Sequence, residues 1–340
     1  MPSIEFTYKT VSTGDTSLRI PAYVHYAPPS HDPLHNASLL ARPIVLIFHG
    51  GGFATGSTSM IPKSQVEALM RLGFVVVLPE YRLCPQVSLE EGPMEDAKDC
   101  LRWARDTLPG FFASEGILVN KERVGAIGHS AGGALALSLV CSSGVSRVFT
   151  TRSATDKTIG RIQGNLPDPP SAILDFYGTK YFSDPCWLRP VPPFSSLTSI
   201  PPIPESFHTS PVALTAPPVF LLNTKEPNFS DPRTTYVISG LKSGTLLTDA
   251  IKDCNIEKIE PTRGLGAGFP PTYFMHGDQD EMCPLELSER AASELGGKGG
   301  RANLRSVGGV GHGFDVGIGP GEELFDGTVM DGLSWLEEHV

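Results

Sequence analysis

The stretch that most restricts the fold is Gly128-His129-Ser130-Ala131-Gly132-Gly133. Residues 123–127 ahead of it form a short apolar run that predicts a buried strand. Residues 131–142 behind it read as a helix that starts almost at once. A serine pinched into a strand–helix turn, with glycines at −2 and +2, has the pattern of a nucleophile elbow. The turn forces the serine toward strained backbone angles, and the glycines let neighbouring backbone approach without side-chain clashes. Its hydroxyl then projects from the end of a sheet. The free N–H groups and positive dipole end of the next helix point to where an oxyanion would develop. Glycine-rich strand–helix turns also occur for packing alone, so the pattern needs partners before it means chemistry.

At 340 residues with 40% hydrophobic and 19% charged side chains, the chain can bury a large core, as one large α/β domain or two small ones. A formal net charge of −10 argues against a nucleic-acid or anionic-membrane surface. The start, Met1-Pro2-Ser3-Ile4-Glu5, has neither a basic nor an apolar leader region. No apolar run approaches the ~20 residues of a membrane helix. The 6 cysteines are scattered without a C-x-x-C pair, which reads as reduced thiols and not a zinc site or disulfide frame. A soluble, cytoplasmic protein is the expectation.

Residues 4–9 and 17–28 alternate loosely and predict a β-hairpin around Thr13-Gly14-Asp15. Buried strands follow over 43–48 and 74–79, with a glycine-stopped helix over 64–73 between them. Further elements are a helix over 94–107, strands over 172–178, 272–275 and 302–307, a helix over 285–296, and a final helix over 321–338. Such β/α alternation predicts a mostly parallel, doubly wound sheet of about eight strands with helices on both faces. The exception is 167–218, which holds 13 of the 31 prolines and cannot be regular core sheet or helix. Asp231-Pro232 opens a helix to about 242, and 246–251 suggests another. We read about 180–265 as a lid insertion over the sheet, within a single domain spanning 1–340.

A serine hydroxyl needs a base within hydrogen-bond reach, usually a histidine oriented by a carboxylate. Of the 9 histidines, His312 in Gly309-Val310-Gly311-His312-Gly313-Phe314 follows the last strand. In a doubly wound sheet that loop opens at the same carboxyl edge as Ser130. His129 adjoins the nucleophile, so its side chain must point away from that of Ser130. The carboxylate candidates Asp278, Asp280 and Glu281 lie just beyond a strand. They read either as the missing acid, as a solvated acidic turn, or as part of a metal site. Gly50-Gly51-Gly52 after the strand ending in Phe48-His49 lets backbone N–H groups face a ligand oxygen. Neither a Gly-Lys-Ser/Thr nor a G-x-G-x-x-G opening a helix is present, which argues against phosphate or dinucleotide binding.

Together, His49-Gly50-Gly51-Gly52-Phe53, Tyr81-Arg82-Leu83-Cys84-Pro85, Gly128-His129-Ser130-Ala131-Gly132-Gly133 and a late Asp before Gly311-His312-Gly313-Phe314 resemble the α/β-hydrolases of the hormone-sensitive-lipase-like branch. The order Ser, Asp, His matches that fold. The resemblance implies Ser130 as nucleophile, Asp280 as acid and His312 as base. It implies the N–H groups of Gly51, Gly52 and Ala131 as the oxyanion hole. The activity implied is that of a serine carboxylesterase acting on a small-molecule ester through an acyl-enzyme, without cofactor or metal. A formamidase or amidase, and a thioesterase or acyl-transfer enzyme of a biosynthetic intermediate, are the alternatives. His129 stands where the branch usually carries Asp, and His276-Gly277-Asp278-Gln279-Asp280 also resembles peptidase and formamidase relatives. Hormone receptors similar to this branch lose the catalytic histidine, which here is present as His312. The oligomeric state is left open, a homodimer included.

Overall fold

The structure, a computed structural model, describes residues 3–13, 16–28, 41–140, 168–216 and 228–340. Among the described residues there are eight strands: β1 (Ser3–Thr13), β2 (Thr16–His25), β3 (Arg42–Phe48), β4 (Val75–Pro79), β5 (Val119–His129), β6 (Ala172–Phe176), β7 (Thr272–Gly277) and β8 (Ala302–Val307). They form one sheet in the order β1-β2-β4-β3-β5-β6-β7-β8. β1 and β2, and β2 and β4, pair antiparallel, while every pair from β4 across to β8 is parallel. The helices are α1 (Lys63–Arg71), α2 (Glu95–Ser114), α3 (Ala131–Ser138), α4 (Pro192–Ser195), α5 (Pro232–Ser243), α6 (Leu246–Ile251), α7 (Ile256–Ile259), α8 (Leu285–Gly297) and α9 (Met330–His339).

The apolar run of β3 has side chains on both sides because a central parallel strand is covered on both faces. Ile44, Leu46 and Phe48 pack into the layer that includes α2, α3 and α8. Val45 and Ile47 pack on the opposite layer with α1 and α9. The mostly parallel sheet clad on both faces is therefore as expected.

Several boundaries differ from the expectation. The helix predicted over 94–107 runs on to Ser114 through Pro109. Leu108 and Phe112 are fully buried in the core, and their burial outweighs the ~3 kcal/mol that an interior proline costs. The strand predicted over 123–127 extends from Val119 to His129, starting where Val119 pairs with Arg42. The last helix is regular only from Met330, after a wide turn over Phe325–Val329. The predicted hairpin is present, with Gly14 and Asp15 of its turn outside the described residues. α3 ends at Ser138, and the end of the helix predicted to 142 lies outside them too.

This topology places the chemistry. His49–Gly52 follow β3, Ser130 follows β5, Tyr177 follows β6, Asp280 follows β7 and His312 follows β8. All five leave the carboxyl ends of parallel strands, where an open α/β sheet gathers its loops. The segment 180–265 carries α4 to α7, and Phe194, Phe207, Tyr236 and Val237 form an apolar cluster of its own. Among the described residues, no helix is long and apolar enough to cross a membrane.

Candidate active site

Ser130 joins β5 to α3 with φ 54° and ψ −121°. A non-glycine residue held there stores strain of order 1–3 kcal/mol. Three backbone bonds hold it: Ser130 N–H donates to Phe176 O (2.9 Å), while Gly133 N–H and Thr179 N–H donate to Ser130 O (2.9 and 3.1 Å). The flanking glycines are required by contact. A Cβ on Gly128 would lie 2.1 Å from Gly132 O, and one on Gly132 would lie 2.1 Å from Phe48 O.

His312 Nε2 lies 2.9 Å from Ser130 Oγ, and His312 Nδ1 lies 2.7 Å from Asp280 Oδ2. Asp280 Oδ1 accepts from Met282 N–H and Cys283 N–H, each at 2.8 Å. Burial alone would raise the Asp280 carboxyl. The charge of His312 and the bonds from His276, His312 and Cys283 N–H outweigh it and hold Asp280 well below the usual carboxylate range. Asp280 therefore stays ionised throughout the working pH range. Asp278 is turned to another task, accepting Gly309 N–H at 2.7 Å. Glu281 is exposed beside the adjoining cavity. The structure thus brings Ser130, His312 and Asp280 into one hydrogen-bonded line and leaves Asp278 and Glu281 out of it.

Gly51 and Gly52 adopt φ +121° and +58°. A Cβ on Gly51 would sit 2.0 Å from Thr55 O, so only glycine fits. The loop is anchored behind by Tyr81, whose ring stacks on His49 at 4.2 Å and whose hydroxyl donates to His49 O (2.9 Å). Ala131 is fully buried as the first residue of α3, where a helix leaves its N–H groups without intrahelical partners.

A cavity of about 420 Å³ opens at Ser130 and is walled by Gly52, Phe53, Trp187, Leu241, Leu247 and Met282 among others. From the 180–265 segment, Trp187 lines this cavity together with Leu241 and Leu247. Phe194, Phe207 and Tyr236 pack against each other and α5 instead. Phe220, Leu221 and Leu222 lie outside the described residues.

The sequence reading missed a buried polar cluster behind the site. The ring of His129 does turn from Ser130, stacking on Phe176 at 4.9 Å, with its Nε2 3.1 Å from Asp315 Oδ2. Asp315 also accepts from Gln65 Nε2 (2.6 Å) and from the hydroxyl of Tyr177, whose ring packs 4.6 Å from His312. Burial would raise the Asp315 carboxyl, but the charge of His129 and the bonds from His129 and Tyr177 hold it below its ordinary value. The one available signal was an acidic residue set among apolar ones just past His312. A carboxyl lowered in the folded state stabilises fully above its unfolded pKa of about 3.9, and that contribution fades as pH falls through the folded value. Asp315→Ala strands Gln65, His129 and Tyr177 at once. It is expected to lower the unfolding free energy at neutral pH, read in urea, by about 3–5 kcal/mol. A loss within the scatter of surface substitutions would show the cluster to be idle.

The family model for the alpha/beta hydrolase fold matches residues 45–149. Thermogutta terrifontis esterase 2 phosphorylated by paraoxon superposes with TM-score 0.58 at 19% identity, covering 99% of this chain and 92% of that one. The propionate-bound form of the same esterase gives 0.57 at 20%, again covering 99% and 92%. The chain belongs to the α/β-hydrolase fold. In sequence it is 32% identical to the non-reducing polyketide synthase ausA of Aspergillus calidoustus over 88% of this chain. It is 30% identical to the non-reducing polyketide synthase Preu3 of Preussia isomera over 89% of this chain. The chain spans only 13% and 12% of the lengths of those two relatives.

Proposed function

We propose that this chain is a serine hydrolase that cleaves a carboxylic ester through an acyl-enzyme on Ser130. The observation that carries the reading is the unbroken line from Ser130 Oγ to His312 Nε2 (2.9 Å) and from His312 Nδ1 to Asp280 (2.7 Å). Ser130 Oγ adds to the carbonyl carbon as its proton passes to His312 Nε2. The N–H groups of Gly51, Gly52 and Ala131 hold the oxyanion. The C–O bond to the leaving alcohol then breaks, and the alcohol departs with the proton from His312. Water, deprotonated by the same nitrogen, attacks the acyl-enzyme and releases the acid and Ser130. Asp280 accepts the Nδ1–H of the imidazole, which leaves Nε2 facing Ser130, and balances the imidazolium.

A second reading is favoured by the similarity to polyketide synthases along most of the chain: the donor is a thioester of a compact polyketide acyl group. The steps are the same, with a C–S bond broken and a thiol released. A 420 Å³ cavity, mainly apolar but edged by Arg189, Glu281 and Glu286, suits a ring-sized acyl group and not a long triglyceride. In both readings the 180–265 segment acts as the lid, with Trp187 as part of the acyl wall.

The test measures matched esters and N-acetylcysteamine thioesters of aromatic and long-chain acids. Turnover of aromatic or short acyl groups, with fluorophosphonate labelling of Ser130, supports the proposal. Thioesters outpacing their matched esters would favour the second reading, and absence of turnover on both would contradict the proposal. Trp187→Ala is expected to shift the ratio of kcat/KM between aromatic and linear acyl groups by about tenfold, with labelling intact. An unchanged ratio would remove Trp187 from the acyl wall.

A further inference from the structure

Behind Asp280 lies a second chain of buried polar groups that the catalytic steps do not use. Asp280 Oδ2 faces two imidazoles: His312 Nδ1 at 2.7 Å and His276 Nε2 at 3.2 Å. His276, on β7, is fully buried, and its Nε2 also lies 2.7 Å from Cys283 O. Its other nitrogen, Nδ1, lies 2.7 Å from Ser288 Oγ on α8. Ser288 Oγ is in turn 2.9 Å from Lys180 Nζ, which also reaches Gly178 O (2.6 Å) and Asp175 Oδ2 (2.7 Å). Lys180, Asp175 and Ser288 are all fully buried.

The hydrogens in this chain are fixed by what each group can do. An ammonium only donates, so Ser288 Oγ accepts from Lys180 and has its own O–H left to give. Among the described residues no other acceptor meets that O–H, so it is satisfied only by donating to His276 Nδ1, which is then an unprotonated acceptor. Cys283 O accepts only, so His276 Nε2 carries the hydrogen. His276 is thus a neutral ring whose N–H faces the carbonyl and Asp280. Were Nδ1 also protonated, His276 would become a second imidazolium on the oxygen that His312 uses. The carboxylate charge would then be divided between two cations, and His312 would lose strength as a base.

We propose that Lys180 and Ser288 are positioning residues that hold His276 neutral, as the Nε2–H form, so that the charge of Asp280 is reserved for His312. The inference deepens the proposed function and rests on its assignment of Asp280 and His312. The other titratable groups around the pair are Asp175, which balances Lys180, and Cys283 and Tyr177, whose buried thiol and phenol are both pushed well above their ordinary values. Neither ionises at neutral pH to alter the balance. Lys180 has a further role in the fold, since its partner Asp175 has no other hydrogen-bond donor among the described residues. Removing Lys180 alone would strand a buried carboxylate.

The sharpest variant is therefore Ser288→Ala, which deletes one hydroxyl and no charge. The ¹⁵N signals of the histidine rings report protonation directly and without turnover. In the wild type, His276 is expected to show a bare Nδ1 at neutral pH, and the acid limb of kcat/KM is expected to carry one proton. In Ser288→Ala, Nδ1 is expected to take up a proton within the active pH range, and the acid limb to steepen to two protons, with KM within about twofold. Ser288→Thr, which keeps the hydroxyl, is expected to restore both wild-type signatures. The paired change Asp175→Asn with Lys180→Met removes the ion pair as a unit and is expected to behave as Ser288→Ala does. A doubly protonated His276 in the neutral wild type, or a Ser288→Ala protein with unchanged ring signals and a one-proton limb, would overturn the inference. A wild type with the expected ring signals but no fluorophosphonate labelling of Ser130 would instead overturn the proposed function.

Discussion

Ser130→Ala is expected to lower kcat by a factor on the order of 10⁴–10⁶, with the remaining rate supplied by binding and the oxyanion donors. The size of the effect follows from what the elbow is for. Its strained turn (φ 54°) and its two glycines without room for a Cβ hold one hydroxyl 2.9 Å from an imidazole. Alanine at 130 leaves that scaffold in place and removes the only atom that forms the covalent bond. KM is expected to change little, because the cavity wall is untouched. Steady-state kinetics on a turned-over ester checks this, and a variant within tenfold of wild type would remove Ser130 from the reaction.

The second large effect separates the two neighbouring aspartates. Asp280→Asn is expected to cost about 10⁴ in kcat, because the amide no longer holds His312 with Nε2 free to accept the proton from Ser130. Asp280 is also the anion that faces that imidazole at 2.7 Å among the described residues, so its loss removes the counter-charge to the imidazolium. Asp278→Asn keeps an acceptor oxygen for Gly309 N–H and is expected to stay within about tenfold of wild type. The comparison needs only kcat for the two variants under one condition. Reversed ranks would move the acid to Asp278.

Much of this site was legible in the sequence, for a physical reason. Chemistry on an open α/β sheet sits in the loops at strand ends, and such loops carry local signatures: glycines where backbone crowds, a lone serine, a late histidine. Ser130 and His312 could therefore be picked out of the chain, as could the alternation of strands and helices, while Asp280 was separated from Asp278 and Glu281 only by the family resemblance. What stayed hidden depends on contacts between distant residues. Gln65 meets Asp315 across 250 positions, and Lys180 meets Ser288 across 108. No periodicity marks such pairs, because each member sits singly among core residues. The same limit explains α2, where burial of Leu108 and Phe112 carries the helix past a proline that reads locally as a stop. It also explains the cavity wall. Bulk and apolarity in the 180–265 segment did not tell Trp187, which lines the cavity at Ser130, from Phe194, Phe207 and Tyr236, which pack inward.

The central claim is that an acyl group passes through Ser130, and mapping that intermediate tests it most directly. The protein is mixed with a slowly released aromatic ester, quenched in acid during turnover, digested and analysed by mass spectrometry. The account predicts an added mass equal to the acyl group on the peptide bearing Ser130, appearing before the steady state and discharged by water when quenching is delayed past substrate exhaustion. A rival nucleophile is Cys283, which also lines the cavity; its burial, and then the nearby charge of Asp280, keep its thiol protonated. Acyl mass on Cys283, or steady turnover with Ser130 unmodified at every quench time, would contradict the account.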